Sequence, residues 1–275
     1  QYIMGVAPGI DTEFWSYQGG DFCTDVKNWT SQLLAAAGDA PLVTSVSYGW
    51  QGPLSQLGCA DSNVDAIDSD FAKLAASGIT IIVASGDSGS GFSNDQGSDC
   101  AGNVVNMELQ GTVEKIIPNV TLSSCLADCV QGEDGKLPYA GWVYDGPTDS
   151  SGTGTCTFLQ VVTGIKSAPG KTSGGAFRLW PSWPASSPWV TSVGATQYVG
   201  NQEGNTEMAT EQFGSGGGFS FQFDRTHAGW QSAVIDEYFQ IVPKGEPFPP
   251  AYVFKPAGRG TPDVAALGEG YQVVR

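Results

Sequence analysis

Basic side chains are scarce in this sequence. Only 12 of its 275 residues are Lys or Arg, against 28 Asp or Glu, and the formal charge at neutral pH is −16. Such a chain has no basic surface with which to displace phosphate counterions, which excludes a general nucleic-acid binder. There is one histidine, His227. With it alone, neither a His-rich zinc site nor a local Ser-His-Asp triad can be built, and His227 reads as a residue near a helix start. The sequence holds no GxSxG and therefore no nucleophile elbow. It also lacks any apolar run of the ~18 to 20 residues that cross a bilayer, so no membrane span is expected.

What is present points to a packed, secreted chain. The 13 Phe, 9 Tyr and 8 Trp need a core, which excludes disorder. A globular protein this acidic suits a medium in which many carboxylates are protonated, so a secreted, extracellular or lysosome-like acidic compartment is expected. The six cysteines (Cys23, Cys59, Cys100, Cys125, Cys129 and Cys156) are even in number and show no paired CxxC spacing, so they read as disulfides rather than metal ligands. Asn28-Trp29-Thr30 and Asn119-Val120-Thr121 are N-glycosylation acceptor sequences and fit the same compartment. The chain opens on Gln1 and shows no signal peptide, as expected of a processed or partial product.

Two units of α/β grammar follow one another. Asp25 opens a helix through Val26, Trp29, Leu33, Leu34 and Ala37 to Gly38, and residues 42–47 form the next strand. Ser62 and Asp65 have capping-box spacing, after which Val64, Ile67, Phe71, Leu74 and Ala75 recur at helical period until Gly78. Residues 79–84 are an apolar β-branched run, as in a parallel strand covered on both faces. A further helix is expected over residues 228–241, with Trp230, Val234, Tyr238 and Ile241 on one face and a Pro-rich stop at 243–250. Residues 92–180 differ in character. They hold four of the six cysteines and little periodicity, and read as a disulfide-stapled insertion with too few periodic apolar residues for a core of its own. Two bridges are expected within it and a Cys23–Cys59 pair outside it; spacing leaves the connectivity open.

Gly86-Asp87-Ser88-Gly89-Ser90-Gly91 follows the buried strand directly, at the edge where α/β sheets place their ligand crevices. The glycine order is not that of a dinucleotide fingerprint. Gly-Asp-Ser-Gly resembles the nucleophile loop of chymotrypsin-like proteases, but that loop needs a His earlier in the chain and His227 comes after it. Asp87 also has a plain reading as a turn or capping carboxylate. The run Gly214-Ser215-Gly216-Gly217-Gly218-Phe219 is either a flexible tip or a place where a substrate backbone approaches closely.

Five motifs then occur in order: Val46-Ser47-Tyr48-Gly49, Ala84-Ser85-Gly86-Asp87-Ser88-Gly89, Pro184-Ala185-Ser186-Ser187-Pro188-Trp189-Val190-Thr191-Ser192-Val193-Gly194, Ser215-Gly216-Gly217-Gly218-Phe219-Ser220 and Pro262-Asp263-Val264-Ala265-Ala266-Leu267. Together they resemble the sedolisins, or serine-carboxyl peptidases, and most of all their tripeptidyl-peptidase branch. The resemblance implies one peptidase-like α/β domain over residues 1–275, with a subtilisin-like parallel sheet, flanking helices and the Cys-rich insertion at 92–180. It implies acid peptidase chemistry that releases N-terminal tripeptides, with a Ser-Glu-Asp set in place of Ser-His-Asp. Asp87 matches the family's oxyanion-hole carboxyl, and Ser47, Tyr48, Gly49, Gly216, Gly217 and Gly218 match substrate-binding positions.

The match is incomplete at both ends. Gln1-Tyr2-Ile3-Met4 resembles the segment just after the family's Glu and Asp pair, and Gly270-Tyr271-Gln272-Val273-Val274 the strand before its Gly-Thr-Ser nucleophile. The base, the nucleophile and the family's calcium site are therefore expected outside residues 1–275, and no cofactor within them. The expected partner is a peptide or protein substrate, with self-assembly or an extracellular partner engaged through the insertion. The alternative is a catalytically inactive protein on the peptidase fold with an extracellular structural role.

Overall fold

The computed structural model describes residues 2–94, 104–129, 139–149, 151–175, 177–241 and 253–270. A short helix α1 (Tyr2–Val6) leads to α2 (Phe22–Ala36), strand β1 (Val43–Val46), α3 (Asp61–Ala76) and β2 (Thr80–Ala84). After β3 (Phe92–Asn94) come β4 (Val104–Val120), α4 (Leu122–Ala127), β5 (Gly141–Asp145), β6 (Gly154–Gly175) and β7 (Phe177–Leu179). The chain continues with β8 (Thr191–Tyr198), β9 (Glu207–Ala209), β10 (Gly218–Asp224), α5 (Ser232–Ile241), β11 (Gly258–Thr261) and β12 (Val264–Leu267). The central sheet runs β1-β2-β8-β12 with every pair parallel, and β9 adds antiparallel to β8. Helices α2 and α3 flank it, so the α/β expectation holds.

Burial of one stripe explains each flanking helix. Val64, Ile67, Phe71 and Leu74 of α3 are fully buried, and they join Val26 and Leu33 of α2 and Ile81 and Val83 of β2 in one core cluster. At its end Gly78 takes φ 84°, its N–H donating to Ala75 and that of Ile79 to Leu74, so a glycine closes the helix and turns the chain into β2. The expected capping box at its start is not formed: Ala60 occupies the cap with no side-chain bond, and burial of the stripe sets the first turn. Helix α2 begins earlier than Asp25, because the Asp21 carboxylate accepts from the Thr24 amide at 2.8 Å and caps it there. The two helices share a buried anion, Asp70, which receives Lys27, Lys73 and the Thr30 hydroxyl. Burial pushes the Asp70 carboxyl up, but these three donors outweigh burial and hold it below the ordinary aspartate value. The Cys23–Cys59 disulfide closes the same corner.

The expected helix over residues 228–241 divides. Residues 225–231 form a 3₁₀ turn capped by Asp224, with His227 exposed in it, and the α-helix starts at Ser232. Trp230, in the 3₁₀ turn, and Val234, Tyr238 and Ile241 of α5 are exposed, whereas Ile235 is buried and Phe239 packs partly buried against the cluster of Val253 and Phe254.

Residues 92–180, expected to lack a core of their own, hold one small cluster of their own and share a second with the rest of the chain. Strands β4 and β6 pair antiparallel along their length, and β5 lies between the two ends of β6, with Gly141 opposite both Leu159 and Gly175. Trp142, Tyr144 and Phe158 are fully buried against Cys125, Cys129 and Cys156, while Leu109, Val143, Leu159, Val162 and Leu179 share a second cluster with Val253 and Phe254 from outside the segment. Repeated register shifts along β4 interrupt the two-residue alternation, so the strand pattern is hidden in the sequence. Cys125 bonds to Cys156, and Cys129 is also disulfide-bonded. Cys100 and the Pro-rich stretch at 243–250 lie outside the described residues. Among the described residues no helix is long and apolar enough to cross a membrane.

Candidate active site

The loop carrying Asp87 leaves the C-terminal end of β2, where Ser85 N–H donates to the Val193 carbonyl of β8. Two neighbouring segments grip its backbone. Gly216 N–H donates to the Gly86 carbonyl at 2.7 Å, Gly217 N–H to the Gly89 carbonyl at 3.0 Å, and Gly89 N–H to the Gly214 carbonyl at 3.0 Å. On the other side the Gln51 side-chain amide donates to the Gly89 carbonyl at 2.9 Å. Any Cβ at Gly216 would fall on the Ser85 carbonyl oxygen, so only glycine lets the two backbones approach this closely. Asp87 itself is exposed, and no hydrogen bond from its carboxyl to another described residue is present.

The structure thus joins two of the three segments singled out in the sequence by direct backbone bonds. The third, Ser47, Tyr48 and Gly49, continues β1 at the same sheet edge and reaches the loop through its successors. Trp50 exchanges two backbone bonds with Trp183, at 2.8 and 2.9 Å, and Gln51 then meets Gly89. Gly49 sits where a Cβ would collide with Ser182 Oγ and the Trp183 carbonyl. Tyr48 is 68% exposed and packs edge-on to Phe22 at 5.2 Å. Among the described residues, no backbone hydrogen bond within the protein joins Ser47, Tyr48 or Gly49. The amides of Gly216 and Gly217, in contrast, are engaged inside the protein; these glycines hold the Asp87 loop.

Two residues of this arrangement escaped the sequence reading. Gln51 directly follows a motif, but a lone Gln carries no chemical signal. Ser215 lies inside the glycine motif, and its Oγ accepts from Ala195 N–H at 2.9 Å, tying the run to β8. Two other motif residues prove to be structural. Asp263 pairs with the fully buried Arg259 at 2.5 Å and accepts from Ser192 N–H and the Gln231 side chain, each at 2.7 Å, at the start of β12. Ser187 donates to Asp68 at 2.5 Å and the Trp189 indole at 3.1 Å, which clamps their loop to α3. Burial raises the Asp68 carboxyl above its ordinary value despite those two donors.

Of the expected glycan acceptors, Asn28 is exposed on α2, and Asn119 is exposed at the end of β4 with φ 59°. Among the described residues no group of three or more His, Cys, Asp or Glu is placed to hold a metal ion. Cavities of about 440 and 470 Å³ lie elsewhere, one in the β4–β6–β5 sheet and one beside α2, and Asp87 lines neither.

No protein-family model matches the chain. Over 100 residues it is 40% identical to tripeptidyl-peptidase 1 of Bos taurus, covering 36% of this chain and 16% of the bovine protein. The protein of that name from Canis lupus familiaris is 40% identical over 94 residues, 34% of this chain and 16% of its own length. The Homo sapiens protein is 38% identical over 100 residues, again 36% and 16%. The matched stretch is thus a small part of these relatives. Among solved structures, Pseudomonas sedolisin, a serine-carboxyl proteinase complexed with two molecules of pseudo-iodotyrostatin, aligns over 91% of this chain and 44% of its own, with TM-score 0.39 and 19% identity. The resemblance to the tripeptidyl-peptidase branch read from the five motifs is borne out by the curated relatives.

Proposed function

From this kinship with the tripeptidyl-peptidase branch of the sedolisins, we propose that the chain is part of an acid serine-carboxyl peptidase that removes N-terminal tripeptides from peptide substrates. The observation that carries the reading is the Asp87 loop: an exposed carboxyl at the C-terminal end of a central parallel strand, on a backbone held from both sides. A rigid loop is what an oxyanion-stabilising group needs, because a donor positioned before the reaction costs no reorganisation when charge develops. A carboxyl donates a hydrogen bond only when protonated and repels an oxyanion when ionised, so this chemistry belongs in acid. The segment of Ser47, Tyr48 and Gly49, with no backbone hydrogen bond to the described residues, suits an extended substrate, which would add as a strand beside it. In this reading Gly216, Gly217 and Gly218 form the far wall, and Gly216 and Gly217 keep the loop in place. Besides Asp87 this reading requires a general base and a nucleophile, and no residue within 1–275 matches the family's motif for either. The disulfides and the acidic composition fit an oxidising, acidic compartment.

The test is product analysis. The secreted full-length protein is incubated at acidic pH with a peptide bearing a free N-terminus, and the products are read by mass spectrometry. Successive tripeptides are expected, and none after the substrate is N-acetylated. Products of other lengths, or none from active-site-intact protein, would overturn the reading.

A further inference from the structure

The cavity of about 470 Å³ beside α2 belongs to neither the sheet edge nor the Asp87 loop. One wall is the segment of residues 14–19, with Phe14, Trp15 and Tyr17; the other is α2, with Asp25, Asn28 and Gln32. Positions 25, 28 and 32 are three and four residues apart and so lie along one helix face. The segment is fixed over that face. Tyr17 donates to Gln32 Oε1 at 2.8 Å and Gly19 N–H to Asp25 Oδ1 at 2.5 Å, while the Trp15 indole donates to Glu13 at 2.7 Å. Phe14 is left 93% exposed. Scattered surface aromatics need no explanation, but three of them in one polar-walled cavity with a glycan acceptor do.

We propose that Asn28 carries an N-linked glycan and that this cavity seats its first N-acetylhexosamine. A pyranose presents an apolar C–H face that packs on an aromatic ring, and its hydroxyl and acetamido groups need donors and acceptors of the kind Asp25 and Gln32 supply. The tether removes most of the association cost, because a sugar bonded to Asn28 binds at high effective concentration. In the transfer step the Asn28 amide nitrogen bonds to the sugar anomeric carbon and loses one proton, and the diphosphate of a lipid-linked oligosaccharide donor leaves. Thr30, whose hydroxyl completes the acceptor sequence, is fully buried and donates to Asp70 and the Lys27 carbonyl. Transfer therefore precedes the docking of α2 on α3. The inference goes beyond the peptidase reading and needs only a secretory route, not activity.

Secreted protein from a eukaryotic host is mapped by mass spectrometry, and thermal midpoints are measured for wild type, Asn28→Gln, Phe14→Ala and the double variant. Asn28 is expected to carry the glycan, and Phe14→Ala to lower the midpoint by about 2 to 4 °C in the glycosylated protein and not measurably in the Asn28→Gln background. If Asn28→Gln fails to fold, removal of the glycan from folded wild type and Phe14→Ala by an amidase supplies the same comparison. An unmodified Asn28, or an equal Phe14→Ala effect with and without the glycan, overturns the proposal. Neither result bears on tripeptide release.

Discussion

Gly216 N–H donates to the Gly86 carbonyl oxygen at 2.7 Å, so the peptide unit immediately before Asp87 is held by the glycine run two motifs downstream. With Gly217 on Gly89 it turns two distant pieces of sequence into one rigid edge. Gly216→Ala would drive a methyl group into the Ser85 carbonyl and separate them. A loss of about 1 to 3 kcal/mol in denaturant unfolding is expected, with activity of the full-length protein falling by more than the unfolded fraction explains. Unchanged activity at unchanged stability would show that the contact does not position the loop.

Asp263 is motif-borne, yet its chemistry is that of a counter-ion. Arg259 is fully buried, and burial lowers its pKa while Asp263 opposes that. Asp263→Ala leaves the guanidinium in the core without its partner, for a cost of about 3 to 5 kcal/mol. Asp263→Ala and Arg259→Met together recover part of that loss in chemical denaturation. A single variant with near-native stability would contradict the assignment.

Two carboxyls on one helix give opposite pH responses. Asp70 is held below its ordinary value when folded, so its contribution is present above about pH 4 and is lost as pH falls through the lowered folded value. Asp68 is raised when folded, so its contribution is present in acid and is lost as pH rises through the raised value. Thermal midpoints across pH should therefore show a flatter acid limb for Asp70→Asn and a flatter upper limb for Asp68→Asn. Parallel curves for wild type and both variants would refute the account.

Much of this was legible in sequence where period and burial agree. The stripes of α2 and α3 and the run before Asp87 repeat at helical or strand spacing, and the glycines that end or bend those elements stand beside them. The β4–β6 pair was not legible, because register shifts interrupt its alternation and its core is built from Trp142, Tyr144 and Phe158 rather than a regular aliphatic face. Over residues 228–241 the pattern misled: Trp230, in the 3₁₀ turn, and Val234, in α5, are exposed, while Ile235 is buried. At the site, the types and order of the residues named the Asp87 loop and the glycine run. That the Gly216 and Gly217 amides are consumed inside the protein is a fact of distance, which no spacing encodes.

The central claim is that the Asp87 carboxyl donates to the reacting carbonyl oxygen. Its most direct test is the rate of tripeptide release by full-length protein as wild type, Asp87→Ala and Asp87→Asn across acidic to neutral pH. Asp87→Ala is expected to lose about 10² to 10³ in kcat with little change in KM. Asp87→Asn, which donates without titrating, should recover part of that loss and retain more of its rate as the pH rises. A kcat for Asp87→Ala equal to that of wild type would contradict the account.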